Sequence, residues 1–279
     1  MRIFAAVILA ASCVLLATGR AAVAGTASVA ASHAANLSGE AAPRVPEPGI
    51  NAYRRPASWD ATSSFAASPT VNPAPDQYGH AGVWSWMQGT FDTPGSYQLL
   101  SFEPHSVLAQ CFSDPDSIFG WSNGTINPFI RYNAGPELPS GSIPCAPADT
   151  WPAHSIVAAP VCHCYGGSEP AVIIGWKAPV SGMVTVTGSI QAVNPYLGGL
   201  TYEVDFGTKT LAGPTDISTD ALTRIGPLHV TVTAGQSIYL EVAPGPDSDG
   251  AYDDFVPTFG ITRSSHRCWL PARTASRPA

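Results

Sequence analysis

The sequence predicts an all-β protein, an antiparallel β-sandwich that carries one long, loop-rich excursion. Three observations predict it. Alternating apolar and polar residues, the signature of strands with one buried face, fill much of residues 171–242. Gly and Pro number 26 and 27 in 279 residues and cluster between those runs. Between the two ends of the chain no stretch keeps the period of an amphipathic helix.

The chain begins with Arg2, an apolar run from Ile3 to Thr18, and Ala22-Val23-Ala24. That order of charged, apolar and small residues is a secretory leader, residues 1–24, with cleavage after Ala24. The run is short for a spanning helix. Cys13 sits inside it, with Ala10 where a lipoprotein signal has leucine, so lipidation is not expected. Residues 25–55 are rich in Ala, Ser and Pro, keep no period, and read as a flexible arm. Residues 56–270 form the sandwich domain, and 271–279 read as a disordered tail.

Within the domain, strands are expected at Trp59 to Phe65, Val83 to Met87, Tyr97 to Phe102 and Phe129 to Tyr132. Residues 111–167, rich in Pro and Cys, are the excursion; connections this long often carry function. Ala171 to Trp176 is a strand apolar on both faces, and Lys177 to Gly182 turns the chain. In MVTVTGSI, Val184, Val186 and Ile190 point inward, against Thr185, Thr187 and Ser189. Leu200, Tyr202, Val204 and Phe206 oppose Thr201, Glu203 and Asp205. Val230 and Val232 oppose His229, Thr231 and Thr233, and Ile238, Leu240 and Val242 oppose Ser237, Tyr239 and Glu241. The alternating threonines and Pro179 exclude a membrane helix at Ile173 to Ile190.

The chain is 45% hydrophobic and 12% charged, with a net charge of −7. The leader takes Arg2 and Arg20 with it, so the mature charge is 11 − 20 = −9. Nucleic acid and anionic membrane are therefore poor partners. Five cysteines remain: Cys111, Cys145, Cys162, Cys164 and Cys268. Export permits disulfides among them, and the odd count leaves one thiol over. Cys111–Cys145 is the first expected pair, and a bond from Cys162 or Cys164 to Cys268 the second. Closing the 33 intervening residues of the first pair would contribute about 3–4 kcal/mol through the unfolded state.

A set of positions also carries a family resemblance. Asn72-Pro73 and Gly82-Val83-Trp84-Ser85 are followed by His154, then by Val172, Trp176, Ala178, Pro179, Ser181 and Gly182, then by Val186 and Gly188, and finally by Ala234, Gly235, Ile238 and Val242. This pattern resembles a jelly-roll β-sandwich domain of secreted bacterial proteins, similar to those found with PEP-CTERM sorting tails. The likeness spans roughly residues 59–263 and is tighter in the second half. PAPDQYGHA separates Asn72 from Gly82, Trp86 replaces the usual tyrosine, and the sorting tail is missing. The resemblance implies a fold and no catalytic residues.

Four groups are candidate sites. Cys162-His163-Cys164 offers metal ligands, but neighbouring ligands on an extended chain point apart, which favours disulfides to separate partners. Asp247, Asp249, Asp253 and Asp254 surround Gly250, an oxygen-rich turn suited to a structural calcium or to plain solvation. Trp84 and Trp86 share one strand face, which is more often core than platform. In the excursion, Trp121, Trp151 and Tyr165 offer flat faces for sugar rings, with Asn123, Asn127, Arg131 and Asn133 to bond hydroxyls. Glu103, His105 and Glu169 form no catalytic motif. The sequence thus points to a secreted, non-catalytic binding module with extracellular polysaccharide as ligand. A structural surface or matrix protein and a secreted hydrolase are the alternatives.

Overall fold

The alternating runs resolve into two antiparallel sheets packed face to face. The computed structural model describes residues 57–104, 117–124, 128–138, 150–160, 170–193, 199–217, 222–246 and 253–264. The leader, the arm, the tail, the five mature cysteines, Asn127, Tyr165, Asp247 and Asp249 lie outside the described residues.

One sheet has eight strands. Its order is β12 (Thr223–Val232), β9 (Gly182–Ala192), β14 (Phe255–Arg263), β7 (Ser155–Ala159), β6 (Phe129–Asn133), β5 (Ile118–Ser122) and β4 (Ser101–Glu103), with β1 (Ser58–Asp60) also paired to β14. The other has six strands. They run β11 (Lys209–Ile217), β10 (Leu200–Phe206), β13 (Ser237–Pro244), β8 (Ala171–Lys177), β2 (Trp84–Gly89) and β3 (Gln98–Leu99). The expected all-β antiparallel sandwich is the fold.

The inward faces follow the alternation. Val184, Val186 and Ile190 of β9 meet Leu200, Tyr202 and Val204 of β10 and Ile238, Leu240 and Val242 of β13 in one core. Trp84 and Trp86 are buried there, rings parallel within 5° and centroids 6.3 Å apart. Several of the residues behind the family resemblance are scaffold. Asn72 accepts from Trp86 N with Oδ1 and donates Nδ2 to the carbonyls of Trp86 and Leu100. Ala178 and Gly235 tie the ends of β8 and β13 together: Ala178 N donates to Gln236 O, and Gly235 N donates to Ala178 O. Ser181 Oγ accepts from Ala234 N.

Three parts differ from the expectation. Trp59 to Phe65 is not one strand: β1 stops at Asp60, and α1 (Ala61–Ala67) follows. Asp60 caps the helix by accepting from Ser63 N at 2.8 Å, and Ala61, Ser64 and Phe65 face the core. Tyr97 to Phe102 splits between the sheets, because Leu100 turns inward and donates its N–H to Trp86 O. The excursion contributes not only the expected strand β6 but also β5 and β7, which pair with it on either side in the larger sheet.

The long outer strand of each sheet is interrupted. β11 loses register against β10 around Gly213-Pro214, and β12 loses register against β9 at Gly226-Pro227.

Candidate functional site

The outer face of the six-stranded sheet holds a group of carboxylates that alternation places in water. Glu203 and Asp205 lie on β10, and Glu241 lies on β13 directly opposite Glu203. All three are instead buried, at 2%, 0% and 0% exposure. Like charges facing each other across strands repel, and burial increases the cost.

Two segments cover them. The connection from β2 to β3 folds back over the sheet, so that Phe91, Tyr97 and Tyr239 pack with Met87, Ala171, Ile173 and Ala243. Gly175 makes room for this layer, since a Cβ there would lie 2.7 Å from Met87 Cε. Asp92 N donates to Glu241 Oε2 at 2.9 Å, and the Tyr97 hydroxyl donates to Glu241 Oε1. On the other side β11 closes in. Gly213 (φ +99°) packs on Glu203, where a Cβ would lie 3.0 Å from Glu203 Cα. The Thr210 hydroxyl donates to Glu203 Oε1.

Asp205 has no such donor. Neither of its oxygens meets a hydrogen-bond donor among the described residues. Its carboxylate lies against those of Glu203 and Glu241, groups that bond it only through a shared proton or a cation. Burial, with the charge of Glu241 in addition, pushes the Asp205 carboxyl up to about 6. Burial also raises Glu203 and Glu241, although the hydroxyls of Thr210 and Tyr97 partly offset it. Burial, and then Glu241 beside it, holds the Tyr97 hydroxyl far above the ordinary phenol range. One oxygen each from Asp92, Glu203 and Asp205 lies within 4.8 Å of the others. No ion pair with Lys, Arg or His reaches these carboxylates among the described residues. The arrangement is a set of oxygen acceptors, with the half-buried rings of Phe91, Tyr97 and Tyr239 beside it and Asp92 and Thr210 exposed at its rim.

The residues chosen from the excursion are placed otherwise. Trp121 and Trp151 are 4% and 1% exposed. Trp121 packs against Phe102 with centroids 5.2 Å apart, and Trp151 against Phe129 at 5.8 Å. Both are core, and neither offers a ring face to a ligand. Arg131 is 1% exposed and crosses Gly120 toward Glu103, with Nη2 3.5 Å from Oε2. Its guanidinium also sits 4.4 Å above the Phe129 ring. Burial pulls the Arg131 pKa down to about 10, opposed by Glu103 and Asp254, so it stays charged at neutral pH. Asn133 is buried and donates to the carbonyls of Pro136 and Pro152. Asn123 is exposed. Of the acidic turn, Asp253 is buried and Asp254 half-buried.

Sequence reasoning missed Asp92, Tyr97 and Thr210 altogether and assigned Glu203, Asp205 and Glu241 to solvent. One signal was present: the outward positions of two strands carry three acids and no base. Their meeting depends on β10 pairing with β13, which no local pattern encodes.

No helix among the described residues is long and apolar enough to cross a membrane. No protein-family model matches the chain, and no curated protein sequence matches it. Three solved structures share part of the sandwich. A β-1,4-mannanase from Podospora anserina that carries a CBM35 module is 12% identical over 35% of this chain and 20% of its own, with a TM-score of 0.24. A family 35 carbohydrate-binding module from Clostridium thermocellum is 14% identical over 40% of this chain and 93% of its own, at 0.25. The C-terminal CBM6 of a Zobellia galactanivorans laminarinase is 15% identical over 38% and 90%, at 0.22. The chain thus spans a fifth of the mannanase's length. These overlaps leave the reading of the acidic, aromatic face to its own geometry.

Proposed function

We propose that the chain is an exported, non-catalytic binding module that takes a polysaccharide on the outer face of the six-stranded sheet. The observation that supports it is the meeting of aromatic rings and oxygen acceptors there: Phe91, Tyr97 and Tyr239 stand half-buried beside Asp92 and Thr210. Rings of this kind suit the apolar faces of sugars, and acidic and hydroxyl oxygens accept from their hydroxyls. The burial of Glu203, Asp205 and Glu241 keeps a glycosidic oxygen from reaching them and favours binding over acid–base hydrolysis. Removal of residues 1–24 in export and a Cys111–Cys145 disulfide belong to the same reading.

Affinity electrophoresis of the mature chain through gels containing β-glucan, xylan, galactomannan or α-glucan tests it. The expected result is retardation in at least one gel that Tyr239→Ala removes and Tyr239→Phe keeps, with both variants folded. Free migration in every gel, or release of sugars from any of them, overturns the proposal.

A further inference from the structure

We infer that Asp92, Glu203 and Asp205 form a divalent-cation site, with calcium as the ion, that fastens the Phe91–Tyr97 segment to the sheet. The inference does not depend on a sugar ligand. It begins with Asp205, which is fully buried with both carboxylate oxygens lacking a donor among the described residues. A buried carboxylate of this kind is costly unless a proton or a cation compensates it. The positions of its neighbours favour a cation. Oxygen ligands bind calcium at about 2.3–2.6 Å, so two oxygens on one ion lie no more than about 5 Å apart. One oxygen each from Asp92, Glu203 and Asp205 meets that limit, all within 4.8 Å of one another. The donor set is oxygen only, which suits a hard ion and not zinc or copper.

The three ligands come from two places. Glu203 and Asp205 are fixed on β10, while Asp92 belongs to the connection that folds over it. Glu241 braces that connection by accepting from Asp92 N and the Tyr97 hydroxyl. Its oxygens lie outside the group that meets the distance limit, so it orients Asp92 rather than joining the ligand set. Water completes the coordination that three carboxylates leave open. With the ion bound, the covering segment is held on the sheet at Asp92 as well as at its apolar ring contacts.

The test is thermal unfolding of the mature chain in EDTA and in millimolar CaCl2, with calcium affinity measured by titration calorimetry. An ion at about a hundred times its dissociation constant should raise the melting temperature by roughly 5–10 °C. Asp205→Asn should weaken calcium at least tenfold and remove that rise. Glu203→Gln gives a second variant in case Asp205→Asn does not fold. Asp249→Asn, a change to a carboxylate that is not one of the three ligands, should leave the rise intact. Terbium in place of calcium should show luminescence excited through tyrosine, given Tyr97 and Tyr239 beside the site. Identical melting curves in EDTA and CaCl2 overturn the inference. So does a calcium response lost in Asp249→Asn but kept in Asp205→Asn and Glu203→Gln. Failure of every polysaccharide gel alongside a calcium response removes the sugar reading and leaves the cation site standing.

Discussion

The indole nitrogen of Trp59 donates to the buried carboxylate of Asp76 at 2.7 Å, and the same oxygen meets His80 Nδ1 at 2.7 Å. The other Asp76 oxygen accepts from the backbone N–H groups of Tyr78 and His80. One side chain thus organises the turn that leads into β2 and anchors β1 to it.

This carboxylate makes stability depend on pH. Burial alone would raise its pKa, but the bonds from His80, Trp59 and the backbone outweigh burial and hold it below the ordinary aspartate value. A depressed folded pKa means that the contribution is complete above the unfolded value, near 4, and is lost as pH falls through the folded one. Wild-type stability should therefore fall below about pH 4. Asp76→Ala should cost about 1–3 kcal/mol at neutral pH, because the buried indole loses its acceptor, and should lack that acid-dependent component. Urea unfolding of both proteins from pH 3 to 7 measures it.

Arg131 and Glu103 make the second prediction. Arg131 reaches Glu103 only because Gly120 lies between them, where a Cβ would lie 2.6 Å from Arg131 Cα. Arg131→Ala should destabilise by about 3 kcal/mol, since Glu103 then loses its cation. The paired change Arg131→Met with Glu103→Leu should recover most of that loss, as apolar replacements of buried pairs often do. Denaturant midpoints of the two variants separate these outcomes.

Trp121 and Trp151, as core residues, should each cost about 3–5 kcal/mol when changed to Ala. Polysaccharide binding at a temperature where the variants remain folded should persist. Loss of binding without loss of stability would return these rings to the ligand site.

Glu203 faces Glu241, and in the presence of chelator that pair only repels. Glu203→Gln should raise stability in EDTA by about 0.5–1 kcal/mol. Urea midpoints of wild type and variant, both in EDTA, check the sign.

The strands of the second half were legible because each buries one face against a single core, so local alternation records the burial. β8, apolar on both faces, was read correctly for the same reason: both of its faces are covered. The reading failed where covering comes from elsewhere. Glu203 and Asp205 occupy outward positions in a well-formed alternation, and a connection some 110 residues earlier, together with β11, makes those positions interior. Within the excursion β6 was legible as the run Phe129 to Tyr132, whereas β5 and β7 were hidden because the buried small residues Gly120, Ser122, Ala158 and Ala159 break up the apolar run. α1 was hidden because Trp59 and Phe65 fit either period, while the deciding signal was the Asp60 cap. The excursion tryptophans were misassigned because an aromatic residue looks the same whether it closes a core or lines a groove.

The Gly-Pro interruptions in β11 and β12 bear on how this protein meets others. A sheet margin recruits a foreign strand by presenting an unbroken ladder of N–H and C=O groups. Pro214 and Pro227 each delete a donor at the point where the backbone also bulges. The opposite margins, β3 and β4, are two and three residues long, too brief to hold an incoming chain. Crowded at high local concentration, such a domain resists fibre-like stacking through these sheet margins, and a partner must approach it broadside.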